Sequence, residues 1–446
     1  MFRERERERQ GEMGLEDLGD LVLSIILSKV GPKNAAMIAC VSRRYRVSAS
    51  DEGLWLRFCS EELDLSSPED PYGKPAPSFK VTYKLWKEAF GMYPWPLVRR
   101  AKQCWSTLKS WMAANFPEAG NTLRKGASEA EIKVLENELG VTLPLPTRVL
   151  YRFCDGQEIG GPEEFLGLIG GYFFYDHAVN VYLLPLSGVI FETKELRHGG
   201  FPSTSKYVVV AASTYMDKLF ILNCDDGQLY VGTGNLATNR EMIPCVPDAL
   251  IRSVHDMNSF QLQDAILLWL EEHGRRLQSG TIRLREERKI RSISLFPETS
   301  PVCSIAVTNG VQVRASAVFV PELSNLQNEE EKYCFSYSIR MRLLPQGCML
   351  DGVYFGSCQL YWRHWVIRAN DVVVSTAGGD AVIGKHPLLY PGAEEFVYES
   401  CSPMRSSSGS IEGAFTFVPG RLVHPKGRPF NVEVARFPLE LPDYIF

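Results

Sequence analysis

The hydrophobic period of the chain changes at Gly280, and that change limits the folds open to it. Ahead of Gly280, apolar residues recur at helical spacing in one segment after another. Beyond it, Tyr333, Phe335, Tyr337, Ile339 and Met341 alternate with Cys334, Ser336, Ser338, Arg340 and Arg342. Phe415 and Phe417, then Phe430, Val432 and Val434, repeat the two-residue period. Short alternating strands broken by Gly and Pro turns predict an all-β sandwich of about 150 residues. One core cannot serve both patterns, and 446 residues suffice for about three domains at ~150 residues each.

The helical part divides further. Residues 1–14, with Arg and Glu alternating from Arg3 to Arg9 and no apolar face, read as a solvated tail. Three helical patterns follow from Leu15 to Cys59, separated by Gly31-Pro32 and by Ser48 to Ser50, where a Ser would cap the third helix. They predict an all-α three-helix unit at 15–60. Prolines at 68, 71, 75 and 77 mark a linker. Phe79, Tyr83, Trp86 and Phe90, then Leu97, Ala101, Trp105, Leu108 and Met112, predict two bridging helices, which completes 61–127. Ser128 and Glu131 have capping-box spacing ahead of Ile132, Leu135 and Leu139. Strand-like runs at Tyr207 to Ala211 and Lys218 to Leu222, and a last helix through Leu262 and Leu277, make 128–278 a mixed α/β (α+β) domain.

Several functions find no support in the residues. A formal charge of -5 gives no general footprint for phosphate backbones. Trp105 and its neighbours among Arg99, Arg100, Lys102 and Lys109 are read as packed rings with a solvated basic face, so a nucleic-acid partner is not expected. The longest apolar stretches, Leu21 to Leu27 and Ala265 to Leu270, fall short of the ~20 residues of a membrane span, and no secretory signal is recognisable. Eleven scattered cysteines without a CxxC read as reduced thiols of the nucleus and/or cytoplasm, with no metal site. Gly232-Thr233-Gly234-Asn235-Leu236-Ala237 matches GxGxxA, but Pro244 and Pro247 stand where a dinucleotide-binding helix would run, so a hairpin or loop is expected. His364, between Trp362 and Trp365, has no Ser or Cys nucleophile beside it and reads as a hydrogen-bonded structural residue. No catalytic residue and no cofactor are assigned.

The first helix poses a burial problem. Leu18, Leu21, Val22, Ile25 and Ile26 lie on one face and Leu23 and Leu27 on the other, more apolar surface than a 45-residue unit can hide. Either a neighbouring domain or another polypeptide must cover one face. Residues 15–60 also resemble an F-box, through Leu18, the helix to Ile26, Val30 before Gly31-Pro32, Val41-Ser42-Arg43-Arg44-Tyr45 and Leu54-Trp55 before Phe58-Cys59. The likeness implies docking on the Skp adaptor of cullin-RING ubiquitin ligases. Leu18, Leu21, Ile25, Val30, Pro32, Val41 and Trp55 would then make the adaptor contact or its supporting core. Gly19 stands where the motif has Pro, and Tyr45 where it has Trp.

Residues 128–275 resemble a SUKH domain, a binding module, through Ile132, Glu136, Leu139-Gly140, Leu143-Pro144, Tyr151-Arg152-Phe153, Asp155-Gly156 and Leu183 to Pro185. Residues 290–446 resemble an ApaG domain through Tyr333 to Met341, Leu360 to Ile367, Val382-Ile383-Gly384, Pro391-Gly392, Glu394-Glu395-Phe396 and Gly413, a likeness that implies an all-β fibronectin/immunoglobulin-like sandwich. Some ApaG members carry a GxGxxG turn that suggests anion binding; the aligned stretch runs from Gly379 to Gly384, with Ala381 in place of the middle Gly. The order F-box, SUKH, ApaG is similar to that of a group of plant F-box proteins, and a mammalian F-box protein shares it. It implies the substrate-recognition subunit of an SCF (Skp-cullin-F-box) E3 ubiquitin ligase, linked through Skp to cullin and feeding targets to the proteasome, with transfer chemistry in partner subunits. A non-catalytic Skp-bound adaptor outside a cullin ligase, or an ApaG-type phosphate- or nucleotide-binding protein, are the alternatives.

Overall fold

The computed structural model describes residues 18–161, 164–201, 206–233, 242–259 and 261–446. Both the tail at 1–14 and the GxGxxA turn from Gly234 onward lie outside them. The chain forms two compact units, one of residues up to Gln103 with 256–260, the other of 104–255 with 261–446, the division falling inside a single helix.

The first unit is helical. Helix α1 (Asp20–Ile38) is broken where the sequence places Gly31-Pro32: Gly31 takes φ 79° and ψ 167°, a conformation that costs Gly little, and Pro32 restarts the helix. By length and mean hydropathy, 1.3, an unbroken helix of this span would suffice to cross a membrane. The segment ahead of the break, Asp20 to Val30, is about half of the ~20 residues a span requires. Helix α2 (Arg43–Ser48) is capped by Ser42, whose Oγ accepts from Tyr45 N at 3.2 Å. Helix α3 (Glu52–Leu63) is capped not by a Ser, as expected, but by Asp51, which accepts from Leu54 N at 3.0 Å and adds a charge that suits the helix N-terminus. Helices α4 (Phe79–Phe90) and α5 (Trp95–Asn115) follow.

Leu23, Leu27, Ala35, Ala39, Tyr45, Ala49, Leu54, Trp55 and Phe58 form one buried cluster, closed by Ile38 and by Phe79 and Tyr83 of α4. Trp55 is its centre, with ring centroids 5.5 Å from both Phe58 and Tyr83 and its Nε1 donating to Ala49 O at 2.7 Å. The proline-rich segment before α4 is packed: Glu69 O accepts from Trp86 Nε1 at 3.0 Å, and the Asp70 carboxylate accepts from the amides of Tyr72 and Lys74.

In the second unit Trp105 turns inward, its Nε1 donating to Leu150 O at 3.0 Å. Helices α6 (Pro117–Gly120), α7 (Glu129–Leu139), α8 (Leu145–Phe153), α9 (Leu186–His198) and α10 (Ala265–Ser279) surround a mixed sheet, and the Ser128–Glu131 capping box is present in full. Strands β1 (Gly170–Phe174), β2 (His177–Leu183), β3 (Tyr207–Ser213), β4 (Lys218–Asn223), β5 (Leu229–Thr233) and β6 (Ile243–Pro244) pair in succession, each antiparallel to the next. The sheet does not stop at 278. Strands β7 (Arg283–Glu287) and β8 (Ile290–Ser294) extend it, β8 running parallel to β1. Residues 290–294, expected to open the sandwich, therefore belong to the central sheet; the charged run Arg285-Glu286-Glu287-Arg288 hides a strand from apolar patterning.

The sandwich has strands β9 (Cys303–Thr308), β10 (Val311–Phe319), β11 (Tyr333–Leu343), β12 (Cys348–Leu350), β13 (Val353–Phe355), β14 (Cys358–Ala369), β15 (Val372–Asp380), β16 (Leu388–Leu389), β17 (Phe396–Met404), β18 (Ser408–Arg421), β19 (His424–Pro425) and β20 (Phe430–Glu440). One sheet has the order β17-β11-β10-β9; the other runs β15-β14-β18-β20, with β16 and β19 as short additions and β12-β13 as a separate hairpin. Phe335, Tyr337, Ile339, Met341, Trp365, Phe415, Phe417 and Phe437 are buried, as the alternation predicts.

The polar residues between them are buried too, because the central sheet covers the far face of β11. Ser336 Oγ donates to Phe173 O at 2.9 Å, Arg340 pairs with Glu287, and Arg288 lies 3.3 Å from Glu399. Arg314 joins Glu298 at 2.9 Å and Glu395 at 2.7 Å, while Arg285 takes Glu298 at 2.5 Å. A second lock lies beside it. Buried Lys218 donates to Tyr172 Oη at 2.9 Å and to Phe446 O at 2.7 Å, and Tyr172 donates to Glu322 at 2.8 Å. Phe446 stacks on Trp269 at 5.4 Å, beneath the Arg276 guanidinium.

Phe446→Ala should cost about 3–5 kcal/mol and lower the midpoint of the second unit in calorimetry by several degrees. Burial first, and the neighbouring Glu287 carboxylate, push the Glu399 carboxyl up to about 8. The folded state thus holds this proton more tightly than the unfolded chain, and the resulting stability is lost as pH rises from the ordinary carboxylate range through about 8. Glu399→Gln should flatten that fall and stabilise the protein at pH 8 by about 1–3 kcal/mol, as melting curves at pH 5, 6.5 and 8 would reveal.

Candidate functional site

The two faces of α1 have different fates. Leu23 and Leu27, four residues apart, make the stripe that enters the core cluster. Leu21 and Ile25, offset by about 200° around the helix, are 76% and 53% exposed. Val41, beyond the second half of α1, is 71% exposed. The bundle closes on Leu23, Leu27 and Trp55 and leaves these side chains in water.

The residues grouped by sequence therefore separate. Leu21, Ile25 and Val41 present apolar surface; Trp55, 3% exposed, supports it from within; Leu18, Val30 and Pro32 are half-buried. Val22, and Met37 past the break, are further exposed apolar residues of α1 that sequence reasoning had not assigned to docking. Met37 escapes a periodicity search because the turn at Gly31 resets the helical phase. Arg44 ties α2 to the start of α1 through Leu18 O and Asp20, the latter at 3.1 Å. Gly19, at the N-cap, has φ −63° and ψ 152°, which Pro would also adopt, and its surroundings leave room for a ring. Burial pushes the Cys59 thiol up to about 12, and burial with the Glu62 carboxylate raises the Tyr83 phenol, so the groups beneath the patch stay uncharged at neutral pH.

The turn from Gly379 to Gly384 lies at the end of β15. Ala381, Ile383 and Gly384 have positive φ, but the amides of Ala381, Val382 and Lys385 donate to Tyr361 O, Lys385 O and Val382 O. The first of those amides ties the turn to β14 and the other two close it on itself, and Asp380 faces out beside His386 at 3.8 Å. His364 differs from expectation: it is exposed on the side of β14 opposite buried Trp365 and makes no hydrogen bond to the described residues. Among the described residues no group of three or more His, Cys, Asp or Glu could hold a metal ion.

Two family models match stretches of the second unit. Residues 126–244 match the SMI1/KNR4 family (SUKH-1) and residues 323–419 the ApaG domain. F-box protein SKIP16 of Arabidopsis thaliana is 60% identical over 440 residues, 97% of this chain and 100% of its own length. F-box only protein 3 of Mus musculus is 26% identical over 97% of this chain and 83% of its own length. Protein ApaG of Anaeromyxobacter dehalogenans is 34% identical over 31% of this chain and 96% of its own. The chain belongs to the F-box proteins of the SKIP16 type, in which a SUKH domain and an ApaG domain follow the N-terminal helices.

Proposed function

We propose that this protein is the substrate-recognition subunit of an SCF-type E3 ubiquitin ligase, acting in the nucleus and/or cytoplasm. The observation that carries the reading is the exposure of Leu21, Ile25 and Val41 beside a core that is complete without them. Fully burying one such side chain contributes about 1.5–3 kcal/mol, so covering the patch with a Skp adaptor offsets much of the entropic cost of association. Arg44 helps by fixing the first turn of α1 before the partner arrives.

Transfer chemistry is left to other subunits. Skp would link the chain to cullin, and the second unit would hold a target protein so that its lysines meet a charged ubiquitin carrier at high effective concentration. The pairing of a SUKH domain with an ApaG domain in one compact unit supports a target-holding role for that unit. The ubiquitinated target would pass to the proteasome.

Leu21→Lys with Ile25→Lys should leave the melting temperature within about 2 °C, since exposed substitutions cost little, and abolish co-purification of a Skp adaptor and cullin. Retained capture by the double variant would overturn the docking assignment; capture of the adaptor without cullin by the wild type would mark a cullin-free adaptor. Gly19→Pro should stabilise the first unit by about 0.4–1 kcal/mol, because the native φ already suits Pro, and tighten rather than weaken adaptor binding in a titration.

A further inference from the structure

One sheet edge of the sandwich is left unguarded. Strand β15 ends its sheet, and among the described residues it pairs with β14 alone. All of it but Gly379 is exposed, and between Asp371 and Asp380 it carries neither a charge nor a Pro. The other edges are blunted in the ways that keep sheets from pairing with strangers. Strand β6 has two residues, and β7, from Arg283 to Glu287, is charged at every position but Leu284. Strands β9 and β20 are tied together, Ser304 Oγ donating to Ala435 O at 2.7 Å and Thr308 Oγ1 accepting from Glu433 N at 3.1 Å. Strand β17 includes Pro403.

The ladder shows which backbone groups of β15 are open. Ala381 N donates to Tyr361 O at 3.1 Å, one step beyond the pair Trp362–Asp380. Hydrogen-bonding groups alternate sides along an antiparallel strand, so Ser375, Ala377 and Gly379 turn theirs toward β14, and Thr376 and Gly378 turn theirs outward. Val374 is the extra residue of a bulge, which leaves Ser375 to Asp380 as regular strand. The exposed Trp362 ring reaches over this stretch: a Cβ on Gly378 would stand 3.4 Å from its Nε1.

We propose that the edge at Thr376 and Gly378 binds an extended segment of the target protein as an added strand, with an aromatic or large aliphatic side chain seated on Trp362. The proposal rests on the target-holding reading of the second unit and gives that reading a site. Donors and acceptors that recur every second residue, about 6.8 Å apart, are matched by another extended backbone. Facing an edge without charges, the middle of that segment is uncharged as well. A residue placed opposite Gly378 shares its face of the sheet, and because Gly378 has no side chain the way to the Trp362 ring is clear. Trp is prominent among the residues that dominate such contacts. A second copy of this chain fits poorly, since full antiparallel overlap sets Val372, Val373 and Val374 opposite Asp380, Gly379 and Gly378 and forms no apolar cross-strand pair.

The test selects random peptides displayed on phage against the full chain and titrates the enriched sequences as synthetic peptides. They are expected to carry an aromatic or large aliphatic residue within an uncharged stretch, and to slow hydrogen exchange at the Thr376 and Gly378 amides. Thr376→Pro removes an outward donor and no bond to β14, a change that edge strands accept; Trp362→Ala removes the anchor. Each should weaken a selected peptide at least about tenfold and leave Skp capture intact. No enriched peptide, equal binding by both variants, unchanged exchange at Thr376 and Gly378, or a wild-type dimer in sedimentation that Thr376→Pro dissolves would overturn the proposal. The exchange readout on the wild type is independent of how the variants fold. Adaptor docking is tested separately by Leu21→Lys with Ile25→Lys, so either reading can fail alone.

Discussion

A helix that is apolar on more than one side, inside a bundle too small to enclose it, is the constraint on which the N-terminal unit depends. Trp55 and the Leu23–Leu27 stripe satisfy the bundle's need for a core. Leu21, Val22, Ile25 and Met37 must then wait for another surface or remain in water. The break at Gly31 belongs to the same economy: it turns Ala35 and Ala39 toward that core, where a straight helix would have carried them past it.

The second unit solves a different problem. Its two domains are joined by charges and hydroxyls, with Arg314 and Arg340 each reaching a carboxylate across or along the joint. Buried ion pairs of this kind add little net stability compared with apolar packing, but removing one partner is costly, so they fix geometry more than they add strength. The aromatic contact of Phe446 with Trp269 supplies the apolar part. Lys218, Tyr172 and Glu322 form a chain in which the phenol both accepts and donates, and each buried polar group finds a partner.

Much of this was legible in the residues. The Gly31-Pro32 break, the Ser128 capping box, the helices over 79–112 and the period of β11 all follow from local rules, and the family likenesses extended them to domain order. Local rules fail where partners are distant. The alternation of β11 told which side chains fill the sandwich, yet Ser338 and Arg340 are nearly as buried as Ile339, because a sheet that begins more than a hundred residues earlier lies on that face. The strands at 283–294 were missed because ion pairs, not apolar side chains, hold them. Seven docking residues could be grouped from the F-box likeness, but Leu21 could be told from Trp55 only by their positions around a folded core.

A joint of hydroxyls, guanidinium groups and carboxylates has one more consequence. Severed from its neighbour, the face of β11 and β17 would meet solvent as an ordinary hydrophilic surface rather than as an exposed core. A module of this kind can live alone or be fused into a larger chain without redesigning its interior, which fits the occurrence of ApaG as a short bacterial protein matching only the last third of this one.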